Sequence, residues 1–147
     1  MIAIDVIGRP APQGSKRSIG NNRFIESSKH LPAWRAAVLD AATKAARAKN
    51  WETLTGPVEL EVTFYLERPA TVSAAKRPEP ITPPDIDKLI RGVADSLTNA
   101  EIYTDDSQIV KVIGIKRYAD VRDPGCFITM RHATLTSQLD IEPSLPS

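Results

Sequence analysis

The sequence is poor in the residues that build disulfide frameworks, metal clusters and membrane spans. It has one cysteine, Cys126, in 147 residues. A lone cysteine excludes an intrachain disulfide framework and a Cys-rich zinc site. Two histidines, His30 and His132, argue against a His-rich metal centre in one chain. No apolar run approaches the roughly 20 residues of a transmembrane helix, so no membrane partner is expected. The opening Met1-Ile2-Ala3-Ile4-Asp5 lacks the charged-then-apolar layout of a signal peptide. The GxxxxGK[ST] phosphate loop is absent, and no organic cofactor is expected. A dominant charge is missing too, since the formal net charge is +1.

What is present is globular composition, with 41% hydrophobic and 25% charged residues. This length buries one core and is short for two. The near-neutral total hides a split. Residues 1–50 carry nine Lys/Arg against three Asp/Glu, and residues 51–110 carry five against eleven. A +6 segment beside a −6 segment suits a polyanion together with a cation. It equally suits pairing within the molecule.

Periodicity gives the element order. Residues 2–7 read as a short strand, and Gly8 to Arg23 as a polar loop with turn chemistry. Pro32 to Lys49 reads as a helix, with Pro32 in the first turn and Asn50 at the end. Val58 to Leu66 alternates strictly, which predicts a strand with one buried face. Residues 69–84 hold five prolines and no period, a connection of the kind that is functional or mobile. Ile86 to Thr98 reads as a second helix with one apolar stripe. Ser107 to Tyr118 is apolar on both faces and reads as an interior strand. Cys126 to Met130 reads as a final antiparallel strand across the Asp120–Gly125 turn. The expected fold is α+β: two layers, a mixed sheet with two helices on one face, in the order β-α-β-loop-α-β-β. Residues 1–135 form one domain and residues 136–147 a flexible tail. The uncovered sheet face is left for solvent or association.

Two aspartate pairs carry the sharpest signal. Asp85-Ile86-Asp87 begins the second helix, and Asp105-Asp106 precedes a strand. If the backbone after Pro84 is extended, Asp85 and Asp87 point to one side. The intervening helix can return Asp105 and Asp106 to the same end of the sheet. Oxygen ligands select Mg²⁺ or Mn²⁺, and such a site suits phosphodiester hydrolysis. An N-cap and a turn explain the same residues structurally. Arg91, four residues after Asp87, fits either a phosphate contact or a surface ion pair, and Asp95 extends the same row. Lys16 and Arg17 follow Pro12-Gln13-Gly14-Ser15, and with Arg23, Lys29 and Arg35 they can follow a phosphate backbone. Phe24 is a candidate for stacking on bases. Trp34 and Cys126 read as core.

Asp85-Ile86-Asp87-Lys88-Leu89-Ile90-Arg91, Asp95-Ser96-Leu97 and Asp105-Asp106-Ser107-Gln108-Ile109-Val110 together resemble the RusA family of Holliday-junction resolvases. The N-terminal Pro-x-Pro-Gln-Gly-Ser-Lys-Arg is similar to that of phage and prophage members, and the likeness runs over residues 2–132. The resemblance implies a dimeric endonuclease of a bacterial or phage-infected cytoplasm. Such an enzyme nicks four-way DNA junctions symmetrically with Mg²⁺ or Mn²⁺. Asp85, Asp87 and Asp106 match the family's metal-binding, catalytic carboxylates. Arg91 stands where a catalytic lysine is usual, and arginine keeps the charge but not a titratable proton. Lys88 stands where asparagine is common and joins Lys16, Arg17, Arg23 and Lys29 as a DNA contact. A non-catalytic DNA-binding protein on this fold, a metal-dependent transfer enzyme and a small interaction protein are the alternatives.

Overall fold

A computed structural model describes residues 1–14, 16–20, 23–26 and 28–134. The expected tail, 136–147, lies outside the described residues, as do the side chains of residues 16–19 and 23–26. Four strands form the main sheet: β1 (Ile2–Ile7), β4 (Val58–Leu66), β5 (Ile109–Tyr118) and β6 (Gly125–His132). Their order across the sheet is β1-β6-β4-β5. β5 is parallel to β4, while β6 is antiparallel to both β4 and β1. Helices α1 (Leu31–Lys49) and α2 (Ile86–Asn99) cover one face. The predicted α+β fold with a mixed sheet is therefore correct.

Local chemistry sets these elements. Pro32 opens α1, and Asn50 closes it in the left-handed conformation at φ 55°, donating its N–H to Ala46 and Arg47 carbonyls. Burial along β4 alternates without a break, as its sequence demands. Val58, Leu60, Val62 and Phe64 meet Ile2, Ile4, Val6, Ile128 and Met130 on the inner face. Trp34, Val38 and Ala42 of α1, and Leu89, Val93 and Leu97 of α2, close the core from above. Trp34 and Cys126 are buried, as their apolar settings predicted. Gly114 of β5 lets α2 approach closely, because a Cβ there would lie 2.6 Å from Ile90 Cδ1.

Three expectations need correction. The stretch from Gly8 to Arg23 is not all loop, since β2 (Lys16–Gly20) and β3 (Arg23–Glu26) form an antiparallel hairpin. Its Gly, Asn and Arg content obscures any alternation. β5 is an edge strand, not an interior one. Its apolar residues Val110, Val112 and Ile113 are exposed. Finally, β6 does not pair with β5 across the Asp120–Gly125 turn. The α2 crossover lays β5 parallel to β4 on one side, and β6 inserts on the other, between β4 and β1.

Candidate active site

α2 starts where β4 and β5 end. Asp85 is its N-cap, with extended backbone at φ −71° and ψ 140°. Asp87 already lies in the first helical turn, so the two aspartates are not an extended pair. Both carboxylates sit at the positive end of the helix dipole, and both are exposed. The Asp85 side chain caps nothing. Lys88 Nζ, on the next turn, lies 3.7 Å from it.

The segment before α2 is held from the sheet edge. Lys116 Nζ of β5 donates to the carbonyls of Thr82 (3.0 Å) and Pro84 (2.8 Å), immediately before Asp85. Sequence reasoning missed Lys116. The available signal was a lysine in phase with Gly114, the strand position against which α2 packs. A cation in that phase needs acceptors, and two carbonyls supply them.

The second pair is built differently. Asp105 caps a 3₁₀ turn, Asp106–Gln108, accepting from the Ser107 N–H and from the Ser107 hydroxyl. Gln108 Oε1 accepts the Asp105 N–H at 2.7 Å, closing a capping box. Gln108 Nε2 also donates to the Leu54 and Gly56 carbonyls, at 3.0 and 2.9 Å, just ahead of β4. The Ser107 hydrogen bonds hold the Asp105 carboxyl below its ordinary value. Asp106 projects from this turn, exposed. Tyr103 ties the region to α2 by donating to the Ala94 carbonyl at 2.7 Å. Burial pushes the Tyr103 hydroxyl far up, and the charges of Asp106, Asp95 and Asp105 add to that shift, so it stays protonated.

The two pairs therefore lie at opposite ends of the sheet. Asp85 neighbours Tyr118 and Leu66, where β5 and β4 finish. Asp106 precedes Ile109, where β5 begins. α2, about 20 Å long at 1.5 Å per residue, runs from the first end toward the second. The expectation that α2 returns Asp105 and Asp106 to the same end is wrong, because a parallel crossover must carry the chain back to the start of the next strand. Among the described residues, no three His, Cys, Asp or Glu side chains of one chain converge as a metal site.

The N-terminal loop docks on α2 beside these groups. The Gln13 N–H donates to the Lys88 carbonyl at 3.0 Å, and its side-chain amide donates to Asp95. Asp95 thus anchors the loop. Gly14, at φ 96°, lies against Arg91, where a Cβ would come within 2.9 Å of Nη1. Arg91 is exposed, and among the described residues it forms no ion pair with Asp87. The loop leads straight into β2, which carries Lys16 and Arg17, while Arg23 opens β3. Lys29 is exposed just before α1. The side chains of Lys16, Arg17, Arg23 and Phe24 lie outside the described residues.

Comparison with known families gives a match of residues 8–131 to the model for endodeoxyribonuclease RusA. The chain belongs to the RusA endodeoxyribonuclease family. It is also similar to the uncharacterized protein YqaN of Bacillus subtilis (strain 168), 34% identical over 133 residues, covering 81% of this chain and 89% of that protein. RusA membership makes the chain a DNA-cleaving nuclease by family. The matched span holds both aspartate pairs, Arg91 and Lys116. Among the described residues, no helix is long and apolar enough to cross a membrane.

Proposed function

We propose that this RusA-family protein is a divalent-metal-dependent, structure-selective endonuclease that resolves four-way DNA junctions by paired nicks. One observation carries the reading: Asp85 stands at a helix N-cap and its carboxylate caps nothing. The aspartates that match the family's carboxylates, Asp85, Asp87 and Asp106, are the exposed ones without a capping duty. Asp105 alone is consumed by its turn. Three carboxylates form an all-oxygen donor set, which fits Mg²⁺ or Mn²⁺ and not zinc. When bound, the metal supplies a more acidic water and charge stabilisation at the phosphate.

The remaining work falls to the chain. Lys116 fixes the backbone that presents Asp85. Arg91 is the permanent cation one helical turn beyond Asp87, suited to neutralising phosphate charge and unsuited to giving up a proton. Lys88 offsets Asp85 and offers a second cation to the DNA backbone. Lys16, Arg17, Arg23 and Lys29 are the further cations proposed to contact the DNA backbone.

The separation of Asp85 and Asp87 from Asp106 supports a homodimer. Two copies related by a two-fold axis, with α2 helices antiparallel, bring Asp106 of one protomer toward Asp85 and Asp87 of its partner. That symmetry matches a four-way junction and yields two sites for two nicks. The test is cleavage of a synthetic four-way junction and a linear duplex with Mg²⁺, by wild type and Asp87→Asn. The wild type should nick the junction symmetrically and only with metal, while the variant binds without cutting. Equal cutting of linear duplex would remove the resolvase reading. Full activity in Asp87→Asn would remove the metal-site reading.

A further inference from the structure

One cavity in the described structure is not explained by metal binding or by backbone contacts. It has a volume of about 730 Å³ and opens beside Asp85. That lies within the roughly 300–1,000 Å³ typical of small-molecule sites. Seven of the chain's twelve prolines line it, so its walls are flat, apolar and poor in N–H donors. The proline-rich segment 69–84, unexplained by periodicity, supplies four of the seven. This segment is held in place: Arg68 donates to the Arg77 carbonyl at 2.6 Å, and Lys116 holds the Thr82 and Pro84 carbonyls. The cavity is therefore preformed.

Polar and charged side chains alternate with these apolar stretches around the lining. Tyr118 forms part of the wall, 7% exposed, and among the described residues its hydroxyl has no hydrogen-bond partner. Arg68 stacks on the Tyr118 ring, 4.0 Å from its centre, and fixes its orientation. An unpaired buried hydroxyl is costly unless a ligand or water satisfies it. Arg9 and Lys88 add cations, and Glu67 and Asp85 are the carboxylates of the lining. His30 completes the lining; burial, with Arg9 and Lys29 nearby, lowers its titration. Its imidazole is then neutral near pH 7 and both donates and accepts. Flat apolar walls, one buried hydroxyl, a neutral imidazole and rim cations are what a nucleobase with its phosphate requires.

We infer that this cavity is a nucleotide subsite, which takes one unstacked nucleotide of branched DNA next to the phosphate held at Asp85. The inference rests on the nuclease reading for the DNA source, but the ligand chemistry is that of any nucleotide. Base pairs at a branch point open more easily than those inside a continuous duplex, so such a subsite favours junctions over duplex.

The experiment titrates each of the four deoxynucleoside 5′-monophosphates into the protein by heteronuclear NMR. Wild type is compared with Ala70→Phe, an exposed lining position that narrows the cavity, and with Tyr118→Phe. Junction binding and cutting are measured alongside. Saturable shifts at Arg9, His30 and Lys88 are expected in wild type and not in Ala70→Phe. Tyr118→Phe should bind about tenfold more weakly, as for one lost hydrogen bond, without loss of thermal stability. Ala70→Phe should bind junctions normally but cut them at least about tenfold more slowly, through misplacement of the phosphate. The inference is overturned if no monophosphate shifts the cavity residues, or if Ala70→Phe is shifted and cuts like wild type. If the monophosphates bind in the cavity but wild type cuts no junction, the subsite stands and the resolvase reading falls.

Discussion

Asp85 and Asp105 occupy the same formal position, the N-cap of a helical turn, and the molecule uses them in opposite ways. Asp105 accepts from Ser107 and is boxed in by Gln108. The Asp85 carboxylate accepts no capping hydrogen bond from its own helix. The difference lies at the third residue on. Gln108 offers an acceptor to the Asp105 N–H, which closes the capping box. The corresponding residue after Asp85 is Lys88, which has no acceptor and draws the carboxylate toward its ammonium instead. One aspartate is thereby committed to the fold, and the other is left available for chemistry.

The strongest way to break this comparison is to remove the free carboxylates. If Asp106 is a metal ligand, Asp106→Asn should cut junctions at least about a thousandfold more slowly, while its melting temperature stays close to wild type. Mixing Asp106→Asn with Asp87→Asn sharpens it. If each site combines Asp85 and Asp87 of one protomer with Asp106 of the other, the mixed dimer regains one intact site and nicks one strand. If each chain holds a complete site, the mixture stays inactive and the shared-site reading is wrong.

The reverse experiment attacks the committed pair. Gln108→Ala removes hydrogen bonds to Leu54, Gly56 and Asp105 at once. It should cost about 1 kcal/mol in denaturant unfolding, since the Leu54 carbonyl keeps the Thr104 N–H while the Gly56 carbonyl loses the Gln108 amide. Asp105→Ala should also lower the melting temperature, and its effect should depend on pH. The folded Asp105 titrates below its ordinary value. Its contribution is therefore complete above the unfolded pKa and is lost as pH falls through the folded one. The stability gap between wild type and Asp105→Ala should thus be constant near neutrality and shrink below about pH 4. A gap that widens in acid would show that Asp105 is not the stabilising cap.

These contrasts also mark what could be read from sequence. The strict alternation of Val58 to Leu66 and the apolar stripe of α2 fixed the core, because periodicity directly encodes which face is buried. The aspartate spacing located the candidate groups. It did not separate Asp85 from Asp105, since that depends on whether a side chain turns back onto its own backbone. The edge position of β5 was illegible because Val110, Val112 and Ile113 look like core residues whether or not another strand covers them. The hairpin at residues 16–26 was hidden by polar turn residues, and the separation of the two pairs followed from strand order, which no local pattern carries. Lys116 was legible in principle, since lysine in the α2-facing phase of a strand needs a reason.

That reason gives a smaller, sharper test. Lys116→Met removes the clamp on the Thr82 and Pro84 carbonyls while keeping a long apolar side chain. If Lys116 positions Asp85, cleavage should fall about tenfold through misplacement. The Mg²⁺ concentration for half-maximal activity should rise, and junction affinity should hold. Lys116→Arg, which still donates, should restore part of the loss. Equal losses of binding and thermal stability in both variants would make Lys116 a fold residue only.

The smallest expected effect concerns the basic hairpin. Lys16→Ala combined with Arg17→Ala removes two cations from the strand that follows the loop docked on α2. Each phosphate contact contributes about −0.9 to the slope of log affinity against log salt on duplex DNA. Loss of both should flatten that slope by up to about 2 units and weaken junction binding at low salt. The change should be nearly invisible at high salt, where counterion release no longer favours binding. Cutting at saturating enzyme should be unchanged, because neither residue belongs to the carboxylate end of α2. If the slope stays the same, the hairpin cations face solvent. The DNA-tracking surface would then have to be assembled from Arg9, Lys29 and Lys88, around the cavity mouth.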